Sequence, residues 1–285
     1  MSRAGDAVMR AAAATAAYLT RRFPLHIQGV AVAVTFLCLW LMYARSAGGP
    51  SLSWYAALGA LTFVLLFLQL RLIDDLDDLE HDGDFGVTRK GLLAALGVAL
   101  SLALLLNAWW WESLLLVLAA TAVMTLTPFV VRPRIPDRLA TLAICYEAGP
   151  ALVLWYSYVQ WRQQSRIGLP AWRVLAIVGL MWAGYEFWKF SRKFDAEDYL
   201  PYRLRRAGRR VVLLWLLLFA ALCTVGTYLA GAASVVMLGY GLLLCGGFAL
   251  AVYRHREARA PRWAGLGFAA LLEIGIITDA VISVG

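Results

Sequence analysis

Charge is scarce in this chain. Asp, Glu, Lys and Arg together supply only 15% of the 285 residues, whereas hydrophobic side chains supply 62% and the mean hydropathy is +0.70. An ordinary soluble domain carries about a quarter charged residues. The low charge therefore excludes a soluble globular protein and indicates an integral membrane protein.

Cysteine is also sparse and forms no recognisable metal or redox motif. Cys38, Cys145, Cys223 and Cys245 all lie inside apolar segments, with no C-x-x-C spacing. This pattern predicts small core residues and argues against a disulfide framework or a zinc site. A basic–aromatic pattern typical of nucleic-acid binding is missing too, so no nucleic-acid partner is predicted.

Long apolar runs dominate what is present. A helix needs about 20 apolar residues to cross the hydrocarbon core of a bilayer, and nine segments of that kind can be counted. They lie near 25–44, 52–70, 91–108, 113–131, 139–160, 171–188, 211–230, 234–253 and 263–284. Because the connections are mostly short, the sequence predicts one domain over residues 1–285, an all-α bundle of nine transmembrane helices around a central cavity. Residues 1–24 are predicted to form an interfacial helix before the first span.

The basic residues are distributed unevenly between the predicted loops. If the N-terminus is inside, 22 of the 26 Lys and Arg residues lie on the cytoplasmic side and four lie outside. This asymmetry predicts an N-in, C-out orientation. The net charge of +8 is then explained by topology and by contact with anionic membrane lipid.

The most concentrated charge follows the second span. Seven carboxylates occupy the eleven positions from Asp74 to Asp84. If the helix continues, Asp75, Asp78 and Asp82 share one face. Asp74 lies beside this face, because Asp78 follows it by four residues. Unpaired carboxylates there would repel one another, and hard oxygen ligands favour Mg²⁺. A solvated acidic loop is the alternative.

A second polar cluster ends the sixth span, which also runs from outside to inside. Its acidic residues are Glu186, Asp195, Glu197 and Asp198. Basic residues accompany both clusters, namely Arg71, Arg89 and Lys90 at the first and Lys189, Arg192 and Lys193 at the second. Carboxylates that hold Mg²⁺ beside cations that meet phosphate oxygens are typical of a diphosphate site. An ion pathway is less favoured, because transporters place polar groups near the midplane of the bilayer.

Two further carboxylates lie deep in predicted spans. Glu147 is about nine residues into the fifth span and Glu273 about eleven into the ninth. A carboxylate at that depth costs a few kcal/mol unless it faces a wet or paired interior. Both are predicted to point inward, either as partners of a Tyr or backbone group or as substrate-binding residues.

These motifs resemble the UbiA superfamily of intramembrane prenyltransferases. The first family motif, N-D-x-x-D-x-x-x-D after the second span, is matched by Asp74-Asp75-x-x-Asp78-x-x-x-Asp82 with Asp in place of Asn. The second motif follows the sixth span, where this chain has the shortened Asp195-Ala-Glu-Asp198. The nine spans and the inside N-terminus extend the resemblance over most of the chain.

The resemblance implies roles for these residues. Metal ligands would be Asp74, Asp75, Asp78 and Asp82 for one Mg²⁺, and Asp195 with Asp198 or Glu197 for another. Catalysis would depend on Asp75, Asp78, Asp82, Asp195 and Asp198. Substrate would be bound by Arg71, Arg89, Lys90, Glu147, Glu186, Lys189, Arg192, Lys193, Glu197 and Glu273. The chain departs from quinone-pathway members where Arg89-Lys90-Gly91 replaces an Arg-Pro element.

The expected activity is Mg²⁺-dependent transfer of an isoprenyl group from an allylic prenyl diphosphate to an aromatic or other lipophilic acceptor. The expected location is a bacterial cytoplasmic membrane, with the active site on its cytoplasmic side. A UbiA-type terpene cyclase is the alternative enzyme, in which the ionised chain is captured within the same molecule. A non-catalytic lipid-binding or transport protein is the alternative outside enzymes.

Overall fold

The computed structural model describes residues 3–48, 54–77, 79, 87–134, 148–192, 206–254 and 261–282. Every regular element in these ranges is helical, which confirms the all-α prediction. Ten α-helices are present in the described residues. They are α1 Arg3–Arg22, α2 Val30–Ala47, α3 Trp54–Asp77, α4 Arg89–Leu106, α5 Trp111–Leu126, α6 Ala148–Ser165, α7 Ala171–Arg192, α8 Arg206–Leu229, α9 Val235–Arg254 and α10 Pro261–Ile282.

Seven helical stretches within these ranges are long and apolar enough to cross a membrane. They contain α2, α3, α4, α5, α8, α9 and α10. The chain is therefore an integral membrane protein, as predicted. The predicted sixth span is helical as α7, and the described part of the predicted fifth span lies in α6. Polar residues lower the apolar content of both helices, namely Gln160 and Arg162 in α6 and Arg173, Glu186 and Lys189 in α7. The count of nine spans and the N-in, C-out orientation stay predictions.

Short-range chemistry explains several helix ends. Thr88 caps α4 by accepting a hydrogen bond from the Gly91 amide at 3.1 Å. After α8 the chain turns at Gly231, whose φ of +70° favours glycine. There the amides of Gly231 and Ala232 bond back to Tyr228 and Thr227, each at 2.9 Å. These bonds satisfy carbonyls that the helix end would otherwise leave open.

The contacts divide the chain into two compact units. Unit 1 comprises residues 1–36, 54–134 and 148–156, and unit 2 comprises residues 37–53, 135–147 and 157–285. Within unit 1, α3 packs against α4 and α5, and α1 packs against α4. Unit 1 therefore holds the helix that carries the first acidic motif.

In unit 2, α7 packs between α8 and α10, and α9 packs against both α8 and α10. Part of this core is aromatic, because Phe187 of α7 lies 5.0 Å from Phe268 and 6.1 Å from Phe248 between ring centroids. Cys38, Cys223 and Cys245 are buried, which confirms the prediction for them as small core residues. Cys145 lies outside the described residues.

Candidate functional site

The first acidic motif begins inside a helix. α3 continues beyond its apolar residues through Arg71, Asp74 and Asp75 and ends at Asp77. The expected continuation of the second span is therefore confirmed for the start of the motif. Asp78 and Asp82 lie outside the described residues, so the predicted acidic face is not tested.

Asp75 is fully buried and contacts a guanidinium one helical turn before it. Its side chain has 0% exposure. Arg71 donates two hydrogen bonds to it, from Nη2 to Oδ1 at 2.5 Å and from Nε to Oδ2 at 3.1 Å. Such a forked contact fixes the plane of the carboxylate as well as its distance. Arg71 also donates from Nη1 to Asp74 at 3.3 Å, and the Asp74 side chain is 45% exposed.

The N-terminal helix α1 supplies the other partners of Asp75. Arg22 donates from Nη2 to Asp75 Oδ1 at 3.0 Å, and the Tyr18 hydroxyl donates to Oδ2. We call Tyr18, Arg22, Arg71 and Asp75 the Asp75 cluster. Burial of Tyr18, and then its hydrogen bond to the carboxylate, raise the pKa of the phenol well above its usual range. Tyr18 therefore remains a hydrogen-bond donor at any physiological pH.

Apolar side chains hold α1 against α3 and α4. Tyr18, Leu72, Leu76, Val87 and Leu92 form one buried group. The Thr15 side chain of α1 also packs closely on Gly91 of α4, because a Cβ added at Gly91 would lie 2.9 Å from Thr15 Oγ1. Burial of this apolar surface thus fixes the helix from which Tyr18 and Arg22 reach Asp75.

Two predicted substrate-binding cations lie at the start of α4, at the same end of unit 1. Arg89 and Lys90 occupy the first turn of α4 and are exposed. They follow Val87, which packs with Leu72 and Leu76 beside the Asp75 cluster. A cation at a helix N-terminus opposes the helix dipole, so local helix stability does not account for them. Their position suits contact with an anion at this end of unit 1.

The second polar cluster is described only at the end of α7. Glu186 is fully buried, and its Oε2 lies 3.9 Å from Nζ of Lys189, whose side chain is 12% exposed. Arg192 is the last residue of α7. The remaining predicted residues of this cluster lie outside the described residues, namely Lys193, Asp195, Glu197 and Asp198.

Of the two deep carboxylates, the structure describes one. Glu147 lies outside the described residues. Glu273 is half-buried on α10, and its carbonyl oxygen lies 3.8 Å from the Cys38 thiol. A role for either in orienting an acceptor stays a prediction.

The described carboxylates of the first motif differ in their fitness for Mg²⁺. Asp74 presents a half-exposed hard oxygen donor, which fits a metal ligand. Asp75 does not fit, because three side chains already donate to its two oxygens and it has no solvent access. No group of three potential metal-ligating side chains occurs within the part of the chain that the structure describes. Most of the predicted ligands lie beyond that part.

Tyr18 and Arg22 were not predicted as site residues. The sequence carries one usable signal for the cluster, which is the i, i+4 spacing of Arg71 and Asp75 within α3. Tyr18 and Asp75 are 57 residues apart in the sequence, and their contact depends on the packing of α1. Spacing along the chain therefore does not indicate this contact.

Two solved structures have the same fold as this chain. A UbiA homolog from Aeropyrum pernix K1, in its apo form, matches with a TM-score of 0.64 and 15% identity, covering 87% of this chain and 98% of that one. A digeranylgeranylglyceryl phosphate synthase of membranes matches with a TM-score of 0.60 and 11% identity, covering 94% and 98% respectively. At these identities the likeness shows the fold, and the predicted UbiA-like fold is confirmed. A comparison with protein-family models finds no match, and a comparison with curated proteins finds none either.

Proposed function

We propose that this protein is a Mg²⁺-dependent intramembrane prenyltransferase that transfers an isoprenyl group from an allylic prenyl diphosphate to a lipophilic acceptor. The observation that carries the proposal is the position of the acidic motif. In a chain with a UbiA-like fold, α3 ends in Asp74, Asp75 and Asp77, with Arg71 on the same helical turn. A solvated acidic loop would not place a fully buried carboxylate in this helix.

The chemistry assigned to the site is ionisation of the C–O bond between the prenyl chain and its diphosphate. Bound Mg²⁺ would neutralise the negative charge that grows on the leaving diphosphate. Asp74, Asp78 and Asp82 of the first cluster, and Asp195 with Asp198 or Glu197 of the second, would hold it. Arg89 and Lys90 would contact diphosphate oxygens, because their side chains are exposed at the end of unit 1 where the motif begins.

The acceptor would attack the prenyl cation and then lose a proton, which restores a neutral product. Glu147 or Glu273 is proposed to orient the acceptor, since each carboxylate is expected within a predicted span. The name of the second structural neighbour makes a prenylated glyceryl phosphate one acceptor to test beside aromatic ones. The proposed orientation is N-in, C-out, with the site on the cytoplasmic side of a bacterial membrane.

The test is product analysis with purified protein in detergent or nanodiscs. Prenyl diphosphates of increasing chain length are supplied with Mg²⁺, with and without a membrane extract as the source of acceptor. The proposal expects a prenylated acceptor and released diphosphate only when Mg²⁺ and extract are both present. Cyclic hydrocarbon formed without extract would instead assign a terpene cyclase. Release of no diphosphate under any condition would leave a lipid-binding or transport protein.

A further inference from the structure

We propose that Asp75 is a positioning residue for the diphosphate site and does not bind the metal. The inference rests on the proposed function and changes the role that the sequence motif suggests for this residue. In this assignment Asp75 holds Arg22 and Arg71 at the start of the acidic motif. Tyr18 holds Asp75 in turn.

The Asp75 carboxylate has no hydrogen-bonding capacity left for a metal ion. An ionised carboxylate offers about four lone-pair directions. Asp75 Oδ1 accepts from Arg71 Nη2 and Arg22 Nη2, and Oδ2 accepts from Arg71 Nε and Tyr18 Oη. All four directions are therefore in use. A metal ligated here would have to displace at least one of these donors.

Charge also disfavours a metal ion at Asp75. Two guanidinium groups lie against one carboxylate, and the neighbouring Asp74 is 45% exposed. A Mg²⁺ ion bound to Asp75 would lie beside both guanidinium groups, and like charges at that distance repel one another. Mg²⁺ also keeps several waters in an octahedral shell, and a side chain with 0% exposure leaves no room for them.

Asp75 fixes the orientation of Arg22 and Arg71. Arg22 and Arg71 remain 29% and 27% exposed, although the carboxylate that they share is buried. Each guanidinium is thus fixed on the buried carboxylate, while part of its side chain stays exposed. A planar guanidinium that is fixed in this way is arranged to meet phosphate oxygens. Because Arg22 comes from α1, docking of the N-terminal helix becomes part of the site.

The closing experiment measures metal and diphosphate binding separately, without turnover. Mn²⁺ replaces Mg²⁺ so that free metal can be followed by electron paramagnetic resonance. The ligands are non-ionising geranyl, farnesyl and geranylgeranyl thiolodiphosphates. Binding of Mn²⁺ and binding of thiolodiphosphate affect each other. Each variant is therefore saturated with thiolodiphosphate, at the concentration that variant needs, during the Mn²⁺ titration. The variants are Asp75→Asn and Asp78→Asn, each compared with wild type.

Asp75→Asn is expected to weaken thiolodiphosphate binding by about tenfold or more, with the Mn²⁺ midpoint within about twofold of wild type. Asp78→Asn is expected to raise the Mn²⁺ midpoint by at least about tenfold. If Asp75→Asn raises the Mn²⁺ midpoint as far as Asp78→Asn does, the positioning role is wrong while the proposed function stands. Unchanged thiolodiphosphate affinity in Asp75→Asn would also overturn it, because Asp75 would then only support the fold.

One further variant and a wild-type control distinguish a positioning role from loss of folding. Tyr18→Phe removes one hydrogen bond to Asp75 and no charge, so it folds more readily than Asp75→Asn. It is expected to weaken thiolodiphosphate binding by about two- to tenfold, with the Mn²⁺ midpoint unchanged. A raised midpoint in Tyr18→Phe would overturn the assignment. Wild-type protein that binds no thiolodiphosphate with Mn²⁺ would overturn the proposed function itself, and this inference with it.

Discussion

Arg45 Nη1 lies 2.6 Å from Asp279 Oδ2, and this ion pair joins the end of α2 to the end of α10 within unit 2. The carboxylate also accepts from the amide and the hydroxyl of Ser234, the residue before α9. Three helices of unit 2 are therefore connected through one side chain. Spacing along the sequence does not indicate this contact, because Arg45 and Asp279 are 234 residues apart.

The first prediction follows from that contact. Asp279→Ala should lower the free energy of unfolding by about 2 to 3 kcal/mol, because it removes the carboxylate that the partly buried Arg45 and the Ser234 amide share and leaves Arg45 only the Asp279 carbonyl. Thermal melting in detergent measures it. Asp279→Asn is the matched variant. Its free energy of unfolding should fall less, because its amide oxygen still accepts a hydrogen bond from Ser234. Equal melting of Asp279→Ala and wild type would contradict the assigned role.

The second prediction concerns the stability of the Asp75 cluster without metal or substrate. Asp75→Asn should destabilise the protein by about 2 to 4 kcal/mol, because two guanidiniums would face each other without the carboxylate that neutralises them. Tyr18→Phe, which removes one hydrogen bond to Asp75 and no charge, should cost about 1 kcal/mol. Denaturation followed by tryptophan fluorescence compares them. A melting temperature that rises in Asp75→Asn would mean that repulsion between acids governs this position.

The third prediction concerns Asp78, and its stability effect has the opposite sign. Asp78→Asn keeps the size of the side chain and removes a ligand charge, so turnover should fall by about 10² to 10³. Without Mg²⁺, its thermal stability should stay level or rise, because one of several neighbouring negative charges is gone. Turnover and the thermal shift produced by Mg²⁺ with prenyl diphosphate are measured together, with Asp198→Asn as the corresponding variant of the second cluster. An unaltered shift in both variants would remove the catalytic assignment of the clusters and leave the fold.

The fourth prediction addresses a buried hydrogen-bond network in unit 1. Asn107 donates to Thr62 Oγ1 at 3.0 Å and to the Ala103 carbonyl at 2.7 Å, and it accepts from the Tyr156 hydroxyl at 2.7 Å. Asn107→Leu should cost about 2 to 4 kcal/mol, because it leaves two buried hydroxyls without their shared amide. Tyr156→Phe removes one bond and should cost about 1 kcal/mol. If both variants have the melting temperature of wild type, the network does not contribute to stability.

The fifth prediction tests the orientation. Single cysteines introduced at Gly83 and Pro201, in a background without Cys38, Cys145, Cys223 and Cys245, should resist an impermeant thiol reagent added outside intact cells. They should react after the membrane is opened, because the distribution of basic residues predicts that both acidic segments lie inside. A cysteine at Arg166 serves as the control that should react from outside. Efficient outside labelling at Gly83 or Pro201 would overturn the N-in assignment.

Much of the helix pattern was predictable from composition. The predicted spans 91–108 and 234–253 differ by one or two residues from α4 and α9. This agreement has a physical cause, because a segment in hydrocarbon must satisfy its backbone hydrogen bonds internally and therefore becomes a helix wherever the apolar run is long enough. The end of α3 was less predictable. The predicted span stops at Leu70, but the helix runs to Asp77, because Leu72, Ile73 and Leu76 are buried and Arg71 pairs with Asp74 and Asp75 along it.

By itself, the sequence determined the membrane class of the protein and the place of the acidic motif at the end of α3. Both depend on apolar runs and charged residues that neighbour each other along the chain. Only the tertiary structure decided what Asp75 contacts. Its partners Tyr18 and Arg22 come from a helix more than 50 residues earlier, brought there by burial of Leu72, Leu76, Val87 and Leu92. The motif marks Asp75 as one carboxylate among several, and packing of α1 places two cations and a phenol on it, because hydrophobic burial acts between segments that sequence spacing does not relate.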